Sequence, residues 1–290
     1  MANEATDVIV GIDTHADTHH VAVITGYGKP LADREFLAVG SGYRKILEFI
    51  ASHGTVTAVG IEGTGSYGAE LARTLRGEGL TVLEVNRPNR AERRLHGKSD
   101  PLDAYQAAQS VLAERGISVP KAKDGPVECL RILRTARSSA AKARTVAVNQ
   151  IKGLLVSAPE GLRAKYRGLG TPALITALQR ARPSGHVADP EYVTLLTLKA
   201  LAVRYQSLAA EIAAADASLQ EILDTYAPML CDLTGVGTEV ASQLLVTVGD
   251  NPERIGSEPQ FAALVGAAPI PASSGKTTRH RLSRGGDRNA

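Results

Sequence analysis

Four acidic residues of this 290-residue chain occupy positions from which they could carry out metal-dependent phosphodiester chemistry. Asp13 closes the apolar run DVIVGID, and Glu62 closes a second, TAVGIE. Asp100 and Asp103 lie three apart at a predicted helix start, so they share a face. Carboxylates from two strand ends and one helix face can converge. Such a set suits two hard divalent cations, Mg²⁺ by default, which take oxygen ligands, activate a nucleophile at phosphorus and stabilise the departing oxygen. Each acid alone also has an ordinary role: a strand end, a helix N-cap at Asp100, a first-turn dipole partner at Asp103. The order of all four along the chain is what points to a site.

The second chemical feature lies near the C-terminus, in GAAPIPASSGKTTRHR. A serine hydroxyl is a weak nucleophile until its proton is removed or its target is polarised. Ser274, before Gly275, is the candidate, although residue types alone do not separate it from Ser273 or Ser283, and a Ser-Gly-Lys loop is commonly a plain surface turn. Around it Lys276, Arg279, Arg281, Arg284 and Arg288 face only Asp287, which predicts phosphate contact. A third feature is charge. Residues 121–167 hold eleven Lys or Arg against Asp124, Glu128 and Glu160, although the whole chain carries only +3. Arg131, Arg134, Arg137, Lys142, Arg144 and Lys152 fall along one predicted helix, a natural match for a nucleic-acid backbone. A solvated helix face is the plain alternative.

The elements that must position these groups are legible as patterns. Asp7–Asp13, His20–Thr25 and Arg34–Val39 read as β-branched strands joined by turns, Tyr43–Ser52 as a helix, Thr57–Glu62 as a strand, Tyr67–Arg76 as a helix and Leu80–Val85 as a strand. Asn86–Lys98 is strongly basic, and Ser99-Asp100-Pro101 starts a helix running to about Ala113. Three hairpin strands followed by strand–helix alternation build a mixed sheet, the order of a ribonuclease-H-like α/β fold. Pro126–Val156 and Thr194–Tyr226 read as long helices. In the second, Leu198, Leu201, Tyr205, Leu208, Ile212, Ala215, Leu219, Ile222 and Tyr226 keep the 3,4 spacing of a coiled coil, which favours self-association; one helix of a bundle is the alternative. LTGVGTEVASQLL resembles a helix-hairpin-helix element, or a plain helix-turn-helix pair. The expected domains are 1–115, 116–228 (basic helical and coiled-coil) and 229–290 (small, mainly α).

Several classes are disfavoured. No apolar run approaches the roughly 20 residues of a membrane span, and the first residues lack a secretory pattern, so a cytoplasmic location is expected. Cys129 and Cys231 are too few and too isolated for zinc or a disulfide framework and read as buried small apolar residues. His15, His19 and His20 read as a turn entering a strand and not as a metal site. Tyr67 and Tyr105 lack the Arg and His company of a recombinase tyrosine and read as packing residues.

Gly11-Ile-Asp13, Gly60-Ile-Glu62-Gly-Thr-Gly-Ser-Tyr67 and Lys98-Ser-Asp100-Pro-Leu-Asp103-Ala resemble the DEDD transposases of the insertion sequence one-ten family. The resemblance implies a RuvC-like domain with a metal-dependent centre at Asp13, Glu62, Asp100 and Asp103. It further implies a bacterial enzyme acting at the nucleoid, homodimeric or tetrameric through the coiled coil, bound to DNA and to an element-encoded guide RNA. Ser274 matches the position of the family's serine, which forms a covalent link to DNA; a composite site across subunits follows. Family members continue with further helix after a glycine pair, whereas this chain ends at Gly285-Gly-Asp-Arg-Asn-Ala290, the ending expected of a shortened copy. The rivals are a structure-specific nuclease that uses water, an inactive nucleic-acid-binding remnant, and a sugar-kinase-like ATPase suggested by Gly11-Ile-Asp13-Thr14 but lacking its second phosphate loop.

Overall fold

The computed structural model describes residues 6–86, 99–283 and 285–287. The chain divides into two compact units, Met1–Asp124 with Val248–Glu258, and Gly125–Thr247 with Pro259–Ala290.

The first unit is built on one sheet. Strands β1 (Asp7–Thr14), β2 (Thr18–Thr25) and β3 (Pro30–Leu37) are followed by helix α1 (Gly40–Ala51), β4 (Thr55–Ile61), α2 (Ala69–Gly77), β5 (Val82–Val85), α3 (Asp100–Leu112) and the short β6 (Ile117–Ser118). Their order across the sheet is β3-β2-β1-β4-β5-β6. β1 and β2, and β2 and β3, pair antiparallel, whereas β4 joins β1 in parallel and β5 joins β4 in parallel. Alternation in β1 sends Val8, Val10 and Ile12 into one core with α1 and α2, while Ile9 enters a second core with Ala107, Ala108 and Val111 of α3.

Two strand glycines admit α3 to the sheet. Gly11 and Gly60 are register partners in β1 and β4. A Cβ on Gly11 would lie 2.1 Å from the Ala104 carbonyl oxygen, and one on Gly60 would lie 2.5 Å from Val111 Cγ2. The helix therefore sits against bare backbone, a position no side chain would allow.

The second unit is helical. α4 (Pro126–Val156) packs along α7 (Pro190–Tyr226), with α5 (Glu160–Tyr166) and α6 (Thr171–Gln179) between them in sequence. α7 begins with an Asp189 side chain accepting from the Glu191 amide, and Pro190 occupies its first turn. The apolar 3,4 seam is used inside the chain: Leu198 and Ala202 pack with Ile151, and Leu219 and Leu223 pack with Leu130. α8 (Thr238–Val248) and α9 (Glu258–Leu264) follow, and then a hairpin of β7 (Pro269–Pro271) and β8 (His280–Leu282). A mainly α C-terminal part was expected; the serine segment itself is β.

Several expectations change. Cys129 is exposed and Cys231 half-buried, so neither is the buried apolar residue expected. Tyr67 is exposed instead of packed, whereas Tyr105 packs against the core of Ala107, Ala108 and Val111 as expected, its hydroxyl donating to Asp33. Two helices not expected from the sequence, α5 and α6, lie between the long ones. Nearly all of the basic stretch 86–98, as well as Arg284 and Arg288, lies outside the described residues. Among the described residues, no helix is long and apolar enough to cross a membrane.

Candidate active site

Parallel pairing of β1 with β4 brings two carboxylates to one sheet edge. Ile12 faces Ile61 in register, and the Glu62 amide donates to the Ile12 carbonyl, so Asp13 and Glu62 leave adjacent strands side by side. The Thr14 hydroxyl donates to the Glu62 carbonyl at 2.7 Å and ties the two strand ends together. α3 brings the other pair. Asp100 and Asp103 occupy its first turn, where the helix dipole favours negative charge. The stripe Asp103, Ala104, Ala107, Ala108 and Val111 is its buried face.

Asp13 and Asp103 are 7% and 5% exposed, while Glu62 and Asp100 are half-buried. Burial pushes the Asp13 carboxyl up; His15 opposes this, and the charges of Asp103, Glu62 and Asp100 push it further up. Asp13 therefore feels the charge of all three of the other acids.

The structure adds two residues that the sequence reading set aside or passed over. His15, assigned to a plain turn, places Nε2 3.1 Å from Asp13 Oδ2 and 3.4 Å from Asp100 Oδ1. The overlooked signal is the period-2 pair Asp13-x-His15, which an extended strand directs to one side. Glu84 on β5 is the other. It accepts from the Gly63 amide at 3.3 Å, from the Thr64 amide at 3.0 Å and from the Thr64 hydroxyl, holding the loop that leaves Glu62. Lys123 Nζ donates to the Gly65 carbonyl of the same loop at 2.6 Å. Burial pushes the Glu84 carboxyl up, the amides of Thr64 and Gly63 pull it back, Glu62 raises it and Lys123 lowers it. His19 and His20 stand apart from the cluster: His19 is buried and stacked on Tyr43, and His20 pairs with Asp33.

The donor set fits a divalent cation. Asp13, His15 and Asp100 each offer an atom, all within 4.8 Å of one another. Burial first, and then the neighbouring carboxylates, raise Asp13 against the opposing effect of His15, and a bound cation would offset both.

In the second unit the tip of the β7–β8 hairpin carries the serines. Ser274 and Thr277 exchange backbone hydrogen bonds of 3.2 and 3.1 Å around Gly275, whose φ of +55° suits glycine. Ser273 Oγ is held by the Arg279 backbone, accepting from its amide at 3.2 Å. Ser274 belongs to the exposed tip, beside the exposed Lys276, Arg279 and Arg281.

The basic helix α4 is less free than expected. Arg131 pairs with Glu128 at 2.6 Å, Arg134 with Glu239 at 2.8 Å and with Gln243, and Arg137 with Asp216 and with Glu239 at 3.3 Å. Arg144 lies over the Tyr205 ring, 5.8 Å from its centroid. Lys142 and Lys152 remain exposed.

A family model of DEDD transposases of the IS110 type, described as "Transposase", matches residues 10–158. The chain belongs to the IS110 family of transposases. A second model, "Transposase IS116/IS110/IS902 family", matches residues 227–290 of this transposase. Over 98% of its length the transposase is 24% identical to the "Mini-circle putative transposase for IS117" of Streptomyces coelicolor, covering 81% of that protein. It is also 25% identical to the "Insertion element IS110 uncharacterized 43.6 kDa protein" of the same organism, over 98% of this chain and 82% of the relative. With the "Insertion element IS900 uncharacterized 42 kDa protein" of Mycobacterium paratuberculosis it shares 24% identity over 94% of this chain and 79% of the relative. The four acids fall within the first matched segment and Ser274 within the second.

Proposed function

We propose that this transposase cuts and rejoins DNA, with Asp13, Glu62, Asp100 and Asp103 holding divalent cations and Ser274 as the nucleophile. The observation that carries this reading is that Asp13 and Glu62 leave adjacent, paired strand ends while Asp100 comes within 4.8 Å of Asp13 from the first turn of α3, which also carries Asp103. The strand order β3-β2-β1-β4-β5, three antiparallel strands and then parallel ones, supports a ribonuclease-H-like first unit. A bound divalent cation, Mg²⁺ by default, would supply positive charge to the scissile phosphate and to the oxygen that leaves it.

The chain's own residues account for the rest. Ser274 Oγ attacks phosphorus, the Ser–O–P bond forms, one P–O bond of the DNA strand breaks, and the freed oxygen takes up a proton; attack of a DNA hydroxyl on the seryl phosphodiester then rejoins the strand and releases Ser274. In each step the attacking hydroxyl loses its proton to solvent as its bond to phosphorus forms. Lys276, Arg279 and Arg281 hold the phosphates flanking the attacked one. Thr14 and Glu84 keep Glu62 in position through its carbonyl and the loop after it.

Lys142 and Lys152 of α4 carry the further nucleic-acid contact, with DNA and with an element-encoded guide RNA. Arg134 and Arg137 serve mainly to bind the helices together, while Arg131 is paired within α4 with Glu128. Self-association as a homodimer or tetramer uses the face of α7 on which Val193, Leu196 and Val203 are exposed.

The test is strand transfer by purified protein on labelled donor and target DNA with the element's RNA and Mg²⁺. Alanine at any of the four acids is expected to abolish it. Cleavage that survives Ser274→Ala would replace the serine mechanism by hydrolysis with water.

A further inference from the structure

We infer that His15 is a metal ligand of this centre, which makes the donor set mixed nitrogen and oxygen and biases it towards first-row transition ions. The inference rests on the metal reading proposed above and names one further donor for it.

The argument is geometric. His15 follows β1 directly, and its amide donates to the Thr18 carbonyl at 3.0 Å, closing the turn into β2. Two residues beyond Asp13, its ring projects to the same side of the strand. A single ring nitrogen, Nε2, faces both carboxylates, at 3.1 Å from Asp13 Oδ2 and 3.4 Å from Asp100 Oδ1. Neighbouring ligands of an octahedral ion with bonds of about 2.1 Å are about 3 Å apart. Nε2 is thus spaced from each of the two carboxylate oxygens as one corner of a coordination shell is from its neighbour, and the ligand atoms of the three residues lie within 4.8 Å of one another. The side chain is 39% exposed, so an ion can arrive from solvent without opening the core. With the proton on Nδ1, Nε2 presents a lone pair to the point the two carboxylates share.

The donor chemistry sets the consequence. Mg²⁺ prefers oxygen and keeps its waters, whereas imidazole nitrogen adds affinity for first-row transition ions. Mn²⁺ and Co²⁺ are expected to bind more tightly than Mg²⁺. His15→Ala is expected to weaken Mn²⁺ about tenfold or more, in the range found when groups supporting a metal are removed, and Mg²⁺ by much less.

The experiment is pulsed electron paramagnetic resonance on full-length protein loaded with Mn²⁺, with ¹⁴N and with ¹⁵N-histidine labelling, alongside Mn²⁺ titration. Wild type, His15→Ala, His15→Asn and Asp13→Ala are compared, and thermal melts confirm that each variant is folded. The inference expects directly coordinated histidine nitrogen in the wild type and its loss in both His15 variants while Mn²⁺ still binds. Mn²⁺ bound without histidine nitrogen would overturn the inference and leave an all-oxygen centre standing. A wild type that binds Mn²⁺ no better than Asp13→Ala would overturn both the inference and the metal centre beneath it.

Discussion

Gly11→Ala should disable the centre without touching any of its side chains. The added methyl would lie 2.1 Å from the Ala104 carbonyl oxygen and 2.3 Å from the Ala108 amide nitrogen. Non-bonded contacts of carbon want about 3.5 Å, so the shortfall is more than about 1 Å. Both obstacles are backbone of α3, and no rotamer change relieves them. Either the helix rises from the sheet or β1 bends. Overpacking of this kind costs about 1–3 kcal/mol, and backbone obstacles put Gly11 at the upper end. A loss of about 3 kcal/mol lowers the melting temperature by about 10 °C in a unit of this size. Function should suffer more. Asp103 precedes Ala104, so lifting the helix carries Asp100 and Asp103 away from Asp13. A misplacement of about 1 Å is enough to cost about a hundredfold in rate. Melting, Mn²⁺ titration and strand transfer would be measured beside Gly77→Ala, where a methyl meets nothing within 4 Å. That control is expected to match the wild type or to gain about 0.5–1 kcal/mol from helix propensity. Wild-type metal affinity and activity in Gly11→Ala would refute the claim that contact of α3 with bare strand backbone sets the acid cluster.

Further expectations concern charge and support. Asp13 titrates above its ordinary value near 3.8 because of burial first, so the folded state holds its proton more tightly than the unfolded chain. Metal-free stability from this group is therefore greatest at low pH and falls as pH rises from about 3.8 through the raised value. Asp13→Asn should flatten that fall and melt higher than metal-free wild type at neutral pH while losing activity; identical pH profiles would contradict the crowding of carboxylates. Glu84→Ala should weaken Mn²⁺ binding about tenfold by releasing the Gly63–Thr64 loop, an indirect support of the size known for groups that orient metal ligands; unchanged binding in a titration would remove Glu84 from the site. Arg137→Ala should cost about 1 kcal/mol in denaturant unfolding, since it leaves Asp216 without its cation and Glu239 with Arg134 alone. Lys142→Ala should stay within about 0.5 kcal/mol in stability yet lower the salt slope of nucleic-acid binding by about 1. The reverse pattern would exchange the roles given to the two residues.

The first unit was legible because its signals are local. Alternation of β-branched residues marked the strands, and Pro101 behind Ser99 and Asp100 marked the start of α3. The four acids followed from those element ends. β6, with two residues, is too short to carry a period, and α5 and α6, of seven and nine residues with Gly168 and Gly170 between them, are too short for a pattern to build. His15 was not legible as a site residue because its partners are Asp13, two residues back, and Asp100, far along the chain. The roles of Arg134 and Arg137 were not readable from α4, because their partners Glu239 and Asp216 come from helices about eighty to a hundred residues further along. Glu84 looked like an ordinary strand residue; only pairing of β5 with β4 brings it to the Thr64 amide.

The central claim is that this transposase joins itself to DNA through Ser274 under control of the acidic centre. The most direct measurement is to incubate labelled DNA with protein, the element's RNA and Mg²⁺, resolve covalent adducts on denaturing gels, and locate the modified residue by mass spectrometry. The account expects an adduct at Ser274 that is absent in Ser274→Ala and in Asp13→Ala and retained in Ser273→Ala. Strand cleavage with no adduct, or an adduct that maps elsewhere or persists in Asp13→Ala, would contradict it.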